Sequence, residues 1–286
     1  MSELIVAAIQ MRSGTSPEAN IAVMDGLVRE AASRGARYVQ TPEMTGALQR
    51  DRDAFRRNLK SEADDLVLKA AASLADELDI FLHIGSTAVE AGNDMAANRG
   101  AVFGPDGVLL ARYDKIHMFD VDLDNGESWR ESSAYRPGEV AQTVDLDVAR
   151  LGMGICYDIR FPHLFRDLAL AGADILTAPA AFTRQTGEAH WHVLQRARAI
   201  ENGAFVVSAA QGGVHEDGRE TYGHSIIVDP WGRVIAEADH DEPGVIVATL
   251  SLDEVKVARS KIPNLKNARN YRVETGQPET KGERVA

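Results

Sequence analysis

The segment Arg150-Leu-Gly-Met-Gly-Ile-Cys156-Tyr-Asp-Ile-Arg-Phe-Pro162 is the most informative part of the chain. Its first half is apolar and predicts a short strand, and Pro162 is placed to open the helix that follows. Cys156, the only cysteine in 286 residues, lies at the junction between the two. Its side chain is expected to point out of the sheet edge near the positive end of a helix dipole, which favours thiolate over thiol. A buried structural cysteine also fits this segment.

Strand and helix signals alternate on both sides of this segment. Residues 4–9 and 38–41 predict strands, and the helix between them has Ser16 as its N-cap, Pro17 at its first position and Gly35 after its end. A second helix is predicted to open at Ser61, with Asp64 in the capping-box position. Three further strands are predicted, the last two joined as a hairpin: 80–84, 101–103 and 108–113.

The second half of the chain repeats features of the first half. The shared features are a glycine followed seven residues later by a proline, and a hairpin-like segment: Gly35 with Pro42, Gly172 with Pro179, 103–111 and 228–236. We therefore predict an α/β fold of two similar β-α units, in which the strand ends bearing Glu43 and Cys156 lie close together. No linker divides the chain, so residues 1–275 are interpreted as one domain and 276–286 as a polar C-terminal tail.

Composition excludes several classes of function. The formal net charge of −12 argues against a nucleic-acid partner and against an anionic membrane surface. A single cysteine excludes an intramolecular disulfide and fits a reducing compartment. The N-terminal residues lack the basic region of a signal peptide, and no apolar run reaches the length of a membrane span. We expect a cytoplasmic protein.

Three residues at predicted strand ends together suggest a catalytic site. Glu43 brings a carboxylate, Lys115 an ammonium group and Cys156 a thiol. Each has an ordinary explanation, since a glutamate can cap a helix and a lysine is most often a surface charge. Together they match the needs of amide cleavage, which requires a nucleophile, a base for the thiol proton and a cation for the developing oxyanion.

The order and spacing of these three residues resemble the Glu-Lys-Cys triad of the nitrilase, or carbon–nitrogen hydrolase, superfamily. The similarity extends from Leu4 to about Tyr271 and is most specific in seven short segments: 115–117, 156–162, 180–183, 186–187, 190–191, 196–202 and 223–225. The resemblance implies a four-layer α-β-β-α sandwich that pairs into a homodimer or higher oligomer through helices flanking the nucleophile. It also implies a small-molecule amide substrate, with no metal and no organic cofactor.

Members of this superfamily carry a second glutamate beside the triad, within a Glu-Ser-x-x-x-x-x-Pro-Gly motif. The corresponding segment here, Glu131 to Gly138, is one residue shorter. The resemblance assigns Glu131 the task of orienting Lys115 and the substrate amide. Glu127 is the second candidate.

The residues around the cysteine resemble the omega-amidase and deaminated glutathione amidase branch, whose substrates carry a 2-oxoglutaramyl group. The resemblance places Phe182 and Thr186 in the pocket wall and the Tyr157 backbone N–H at the oxyanion. Arg160, four residues beyond the cysteine, either binds a substrate carboxylate or pairs with Asp158 or another acid. An N-carbamoyl amino acid or other aliphatic amide hydrolase is an alternative within the superfamily, and an inactive scaffold is an alternative of another class.

Histidines suggest a metal site only weakly. His190 and His192 lie in a segment that predicts a helix, where residues two apart do not share a face, and His215 and His224 are scattered. No zinc-binding spacing is present. We therefore predict no metal centre.

Overall fold

Two six-stranded sheets form the centre of the fold. The computed structural model describes residues 2–123, 126 and 128–276. The strands, in chain order, are β1 (Glu3–Gln10), β2 (Tyr38–Gln40), β3 (Phe81–Glu90), β4 (Ala96–Phe103), β5 (Leu109–Asp114), β6 (Asp120–Asp122), β7 (Ser128–Arg130), β8 (Gln142–Leu146), β9 (Ala149–Met153), β10 (Ile175–Thr177), β11 (Phe205–Ser208), β12 (Gly212–Val214), β13 (Glu220–Tyr222), β14 (Ile226–Val228), β15 (Val234–Glu237) and β16 (Gly244–Ser251). The α-helices are α1 (Pro17–Ser33), α2 (Arg52–Asn58), α3 (Leu66–Leu78), α4 (Pro162–Leu170), α5 (Arg184–Asn202), α6 (Asp253–Lys261) and α7 (Asn264–Asn267).

The two sheets have the same arrangement of parallel and antiparallel strands. The first has the order β16-β1-β2-β3-β4-β5 and the second β15-β14-β11-β10-β9-β8. In each, three consecutive strands run parallel, a hairpin continues the sheet antiparallel on one side, and one antiparallel strand closes the other side. The predicted internal repeat is therefore confirmed.

Burial on both faces of each sheet produces the four layers. In β1, Val6 and Ala8 pack in the cluster between the sheets, whereas Ala7 and Ile9 pack against the apolar residues of α1 and α3. Helices α4 and α5 cover the outer face of the second sheet. The strand period of two thus explains why β1 is apolar along its whole length.

The predicted helix ends agree with the structure in one case and differ in another. In α1, the side chain of Ser16 accepts a hydrogen bond from Ala19 N and Gly35 has a φ of +88°, as predicted. The second predicted start, at Ser61, is wrong because α3 begins at Leu66 and Asp65 is its N-cap. Ser61 and Asp64 do hydrogen-bond, but within a separate turn.

Several elements have no counterpart in the prediction, α2 and the β6–β7 hairpin among them. Helix α2 has no buried residue, so its sequence lacks the apolar stripe on which helix prediction depends. The β6–β7 hairpin is also unpredicted. The predicted tail lies, apart from Gly276, outside the described residues, so the domain boundary stays a prediction. Among the residues that are described, no helix has the length and apolarity needed to cross a bilayer.

Gly85, in β3, marks a close approach of the two halves. A Cβ atom there would clash with the backbone of Thr41 and lie 2.6 Å from Cβ of Pro179, which follows β10 in the second sheet. Any larger side chain must therefore push the halves apart.

We expect Gly85→Ala to lower the free energy of unfolding by about 1–3 kcal/mol, the usual cost of overpacking a dense core. The matched control is Gly26→Ala, since Gly26 lies in α1 with open space around its Cα. This control should be about 0.5–1 kcal/mol more stable than the parent chain. Urea unfolding measures both, and equal stability of the two variants would contradict the close approach.

Candidate active site

Three strand ends bring the proposed catalytic side chains together. Glu43 follows β2, Lys115 follows β5 directly, and Cys156 follows β9. Lys115 Nζ lies 2.9 Å from Glu43 Oε1. The Cys156 thiol is close enough to both groups that each of them shifts its pKa. All three side chains are buried, and Lys115 is only 2% exposed.

Glu131 completes an ion-paired cluster around Lys115. It lies in a short 3₁₀ turn, Glu131–Ser133, and its Oε2 is 2.9 Å from Lys115 Nζ. Its carboxylate also accepts a hydrogen bond of 2.7 Å from Phe119 N. Glu127, the second candidate, lies outside the described residues.

Asn98, in β4, is a member of this cluster that sequence reasoning missed. Its side-chain Nδ2 donates to Glu43 Oε1 at 2.9 Å and to Glu131 Oε1 at 3.1 Å. The other oxygen of Glu43, Oε2, accepts a hydrogen bond of 2.9 Å from Ala181 N. The two carboxylates are therefore held apart and oriented by neutral donors as well as by Lys115.

The charges of the cluster stabilise one another despite burial. Burial alone would raise the pKa of Glu43, but the Lys115 charge and hydrogen bonds with Cys156, Lys115 and Asn98 outweigh it and hold the pKa below its ordinary value. Burial would lower the pKa of Lys115, but the charges of Glu131 and Glu43 hold it well above its ordinary value. At neutral pH the site has an ionised base beside a fixed cation.

The cysteine itself is a thiol in the resting site. Burial and the Glu43 charge raise the pKa of Cys156 well above its ordinary value, and Lys115 only partly opposes them. The expected thiolate is therefore wrong. A 3₁₀ turn, Cys156–Arg160, separates the sulfur from α4, so the helix that Pro162 opens does not begin at the cysteine.

The backbone at Cys156 is held in an unusual conformation. Its φ is +50°, in the left-handed region that a cysteine rarely adopts. The Cys156 N–H donates to Pro179 O at 3.0 Å, and Asp158 Oδ2 accepts from Ile155 N at 2.9 Å and from the Tyr113 hydroxyl at 2.7 Å. These bonds fix the turn that presents the sulfur. They connect residues of both sheets, because Tyr113 lies in β5 of the first sheet and Pro179 follows β10 of the second.

Arg160 does not pair with Asp158. That carboxylate is occupied by Ile155, Tyr113 and His117. The Arg160 guanidinium lies over the Phe182 and Tyr157 rings, at 5.3 and 5.8 Å from their centroids, and contacts His190 Nδ1 at 3.2 Å. Within the described part of the chain, it forms no salt bridge with a carboxylate.

A cavity of about 770 Å³ opens over the cluster. Its wall includes all eight of the predicted site residues: Glu43, Lys115, Glu131, Cys156, Tyr157, Arg160, Phe182 and Thr186. The Thr186 hydroxyl forms a hydrogen bond of 2.9 Å with the hydroxyl of Thr183, the N-cap of α5. The Phe182 ring packs edge-on against Trp191. These contacts position the two side chains in the wall.

The histidines lie outside this cavity. His190 contacts Arg160, whereas His192 Nε2 and His224 Nδ1 lie 2.6 and 3.1 Å from the same oxygen of Glu237. His192, His224 and Glu237 form a group whose ligand atoms are all within 4.8 Å of one another. Hydrogen bonds between Glu237 and both histidines hold the group together, and the absence of a metal centre stays a prediction.

The raised pKa of the thiol is testable because the chain has a single cysteine. We expect the ultraviolet absorbance difference between the parent chain and Cys156→Ala to show no thiolate between pH 6 and 8, since an unperturbed thiol already titrates only near 8.5. The Glu43→Gln variant removes the neighbouring negative charge and should show thiolate at lower pH than the parent. A thiolate band in the parent chain at pH 7 would contradict the argument from burial and restore the helix-dipole expectation.

Known proteins share both the sequence and this fold. A family model described as "Carbon-nitrogen hydrolase" matches residues 5–260. The chain is 37% identical to deaminated glutathione amidase of Yersinia enterocolitica over 94% of each chain, and 34% identical to human omega-amidase NIT2 over 97% of this chain and 100% of that one. The NitFhit protein of C. elegans superposes with a TM-score of 0.85 and 31% identity, over 94% of this chain and 66% of that one. This chain therefore belongs to the carbon–nitrogen hydrolase family and is a hydrolase of amide C–N bonds.

Proposed function

We propose that the protein hydrolyses the amide bond of a small carboxylate-bearing acyl group through a thioester on Cys156. The observation that carries this proposal is the contact of Glu43, Lys115 and Glu131 beside a buried thiol at the wall of one cavity. A thiol with a raised pKa needs a base at the moment of attack, and the ionised Glu43 is that base.

The first half of the reaction forms the acyl-enzyme. Glu43 takes the thiol proton while the sulfur of Cys156 bonds to the amide carbon, and the carbonyl electrons move to oxygen. Lys115 and the Tyr157 N–H, among the first donors of a helical turn, stabilise that oxyanion. The carbon–nitrogen bond then breaks, and the departing ammonia or amine takes the proton from Glu43.

The second half regenerates the thiol. Glu43 removes a proton from water as the water oxygen bonds to the thioester carbon, and the proton passes to the sulfur when the carbon–sulfur bond breaks. Glu131 holds Lys115 in place throughout and lies beside the site where the amide nitrogen departs. Asn98 donates from Nδ2 to one oxygen of Glu43 and one oxygen of Glu131, and so fixes the two carboxylates relative to each other.

The substrate class follows from the cations of the cavity. Arg160 has no carboxylate partner among the described residues and lies over two rings of the wall. A substrate carboxylate fits there, because a guanidinium binds a carboxylate bidentately. The similar proteins are named deaminated glutathione amidase and omega-amidase, and we propose that this chain acts on the same 2-oxoglutaramyl amides. The local cations offset the long-range repulsion of a chain with net charge −12.

Variants of the nucleophile and the base test the mechanism. We expect Cys156→Ala to lower kcat by about 10⁴-fold or more and Glu43→Gln by about 10²–10⁴-fold, the usual contributions of a nucleophile and a general base. Mass spectrometry of the quenched parent reaction should show an acyl adduct that Cys156→Ala lacks. Release of 2-oxoglutarate is measured on 2-oxoglutaramate and deaminated glutathione, and release of ammonia on N-carbamoyl amino acids. Preference for the last group would overturn the substrate class, and more than a few per cent activity in Cys156→Ala would overturn the nucleophile.

We also propose a homodimer that forms through α4 and α5. Large apolar side chains are exposed on the outer faces of these helices: Leu170 at 57%, Val193 at 68% and Ile200 at 51%. Val193 and Ile200 lie two turns apart on one face of α5, so a second copy can bury them together. A cytoplasmic location is proposed as well, since a single free cysteine fits a reducing compartment; cell fractionation tests it.

If the dimer forms, sedimentation of the parent protein should give a molecular mass of twice the 31.0 kDa of one chain. The double variant Val193→Asp, Ile200→Asp should sediment as a monomer, because it places charges in the apolar contact. Val23→Asp, at an exposed apolar position of α1, is the matched control and should stay dimeric. A monomeric parent chain, or a double variant that still dimerises, would rule out this interface.

A further inference from the structure

The active-site cavity is larger than a five-carbon acyl amide requires. Cavities of about 300–1,000 Å³ enclose most of a drug-sized ligand, and this one measures about 770 Å³. Part of its wall lies beyond the catalytic cluster, where Arg50, Trp129 and Arg219 line it. This second part has no task in the mechanism described above.

A single indole brings two cations together there. The guanidinium carbons of Arg50 and Arg219 each lie 5.2 Å from the centroid of the Trp129 ring. Stacking on the ring holds both groups in place. Two guanidinium groups that contact the same ring repel each other, and a bound anion offsets that repulsion.

The two arginines differ in how they are held. Arg219 is oriented by Asp217, whose Oδ2 lies 2.9 Å from both its Nε and its Nη2. Its Nη1 has no hydrogen-bond acceptor in the part of the chain that the structure describes. Arg50 is exposed, and within those same residues it forms no ion pair. The group thus offers one donor fixed by a carboxylate and one exposed cation.

A wall of aromatic rings joins this group to the nucleophile. The ring centroids of Trp129 and Phe119 are 6.3 Å apart, and those of Phe119 and Tyr157 are 5.2 Å apart. Tyr157 is the residue after Cys156. Arg160 stands at the near end of this wall, over Tyr157. Since an extended peptide advances about 3.5 Å per residue, the far end lies a short peptide's length from the scissile bond.

We propose that Arg50, Trp129 and Arg219 form a subsite for the terminal carboxylate of a peptide-like amine, the leaving group of the amide. The acyl part stays bonded to Cys156 after the amine departs, so the amine is the part that must face the open side of the cavity, where Arg50 is exposed. The subsite rests on the proposed amidase function and extends it: Arg160 binds the acyl carboxylate and this group binds the carboxylate of the leaving amine.

Three substrates with the same acyl part separate these interactions. The first is the 2-oxoglutaryl amide of alanylglycine with its free carboxylate, and the second is the same compound ending in a carboxamide. The third, 2-oxoglutaramate, releases only ammonia and has no distal carboxylate. A comparison of these three substrates separates the contribution that the distal carboxylate charge makes to substrate binding.

We expect Arg50→Gln and Arg219→Lys each to raise KM for the carboxylate compound about 10-fold or more, the factor that one charge-assisted hydrogen bond commonly contributes. KM for the carboxamide and for 2-oxoglutaramate should change less than 2-fold. Arg219→Lys keeps the charge beside Asp217, and Arg50 is exposed, so neither change threatens the fold. Arg56→Gln, an exposed arginine of α2 outside the cavity wall, is the matched control and should leave all three values unchanged.

Equal changes for the carboxylate and carboxamide compounds, or no change for either, would overturn the subsite. So would a parent chain that hydrolyses 2-oxoglutaramate but neither peptide amide. If the parent hydrolyses none of the three, the proposed substrate class fails instead. Calorimetric binding of the carboxylate compound to Cys156→Ala, with and without Arg50→Gln, then still tests the subsite, and equal affinities would reject it.

Discussion

The buried ammonium of Lys115 between Glu43 and Glu131 is the interaction on which the site depends. Removing one partner of a buried ion pair commonly costs about 3–5 kcal/mol, because the remaining charge is left uncompensated. Glu43 follows β2, Lys115 follows β5, and Glu131 lies in the turn after β7. Their pairing therefore requires that strand ends and loops far apart in the chain be held in register. The fold positions the cluster, and the cluster in turn constrains how these chain segments meet.

The duplication of the sheet explains why the site lies where it does. Glu43 follows a strand of the first sheet and Cys156 a strand of the second, so the proposed base and the proposed nucleophile come from different halves. The close approach at Gly85 and the bond from Ala181 N to Glu43 connect these halves directly beside the chemistry. A site at such a junction is sensitive to any change in how the sheets pack.

Local signals in the sequence predicted those parts of the molecule that local physics determines. Helix α1 could be predicted because its cap, its first proline and its terminal glycine act within a few residues. The roles suggested for Glu43, Lys115 and Cys156 rested on the resemblance to a family and on strand-end positions. Asn98 could not be found, because nothing distinguishes an asparagine inside a strand until the fold places it between two carboxylates. The thiolate prediction failed for a related reason: burial and the Glu43 charge, which dominate the titration of the sulfur, arise only from long-range packing.

The burial of all these groups in one compartment has a consequence for the course of the proposed reaction. With the thiol neutral, Glu43, Lys115 and Glu131 together carry a single negative charge. When the thiol proton moves to Glu43 and the oxyanion forms, the total is still a single negative charge. The substrate oxygen and Glu131 are then the negative groups, and Lys115 remains positive. The compartment thus redistributes its charge instead of accumulating it. Reaching the tetrahedral intermediate consequently adds no new ion to a medium where solvating one is expensive.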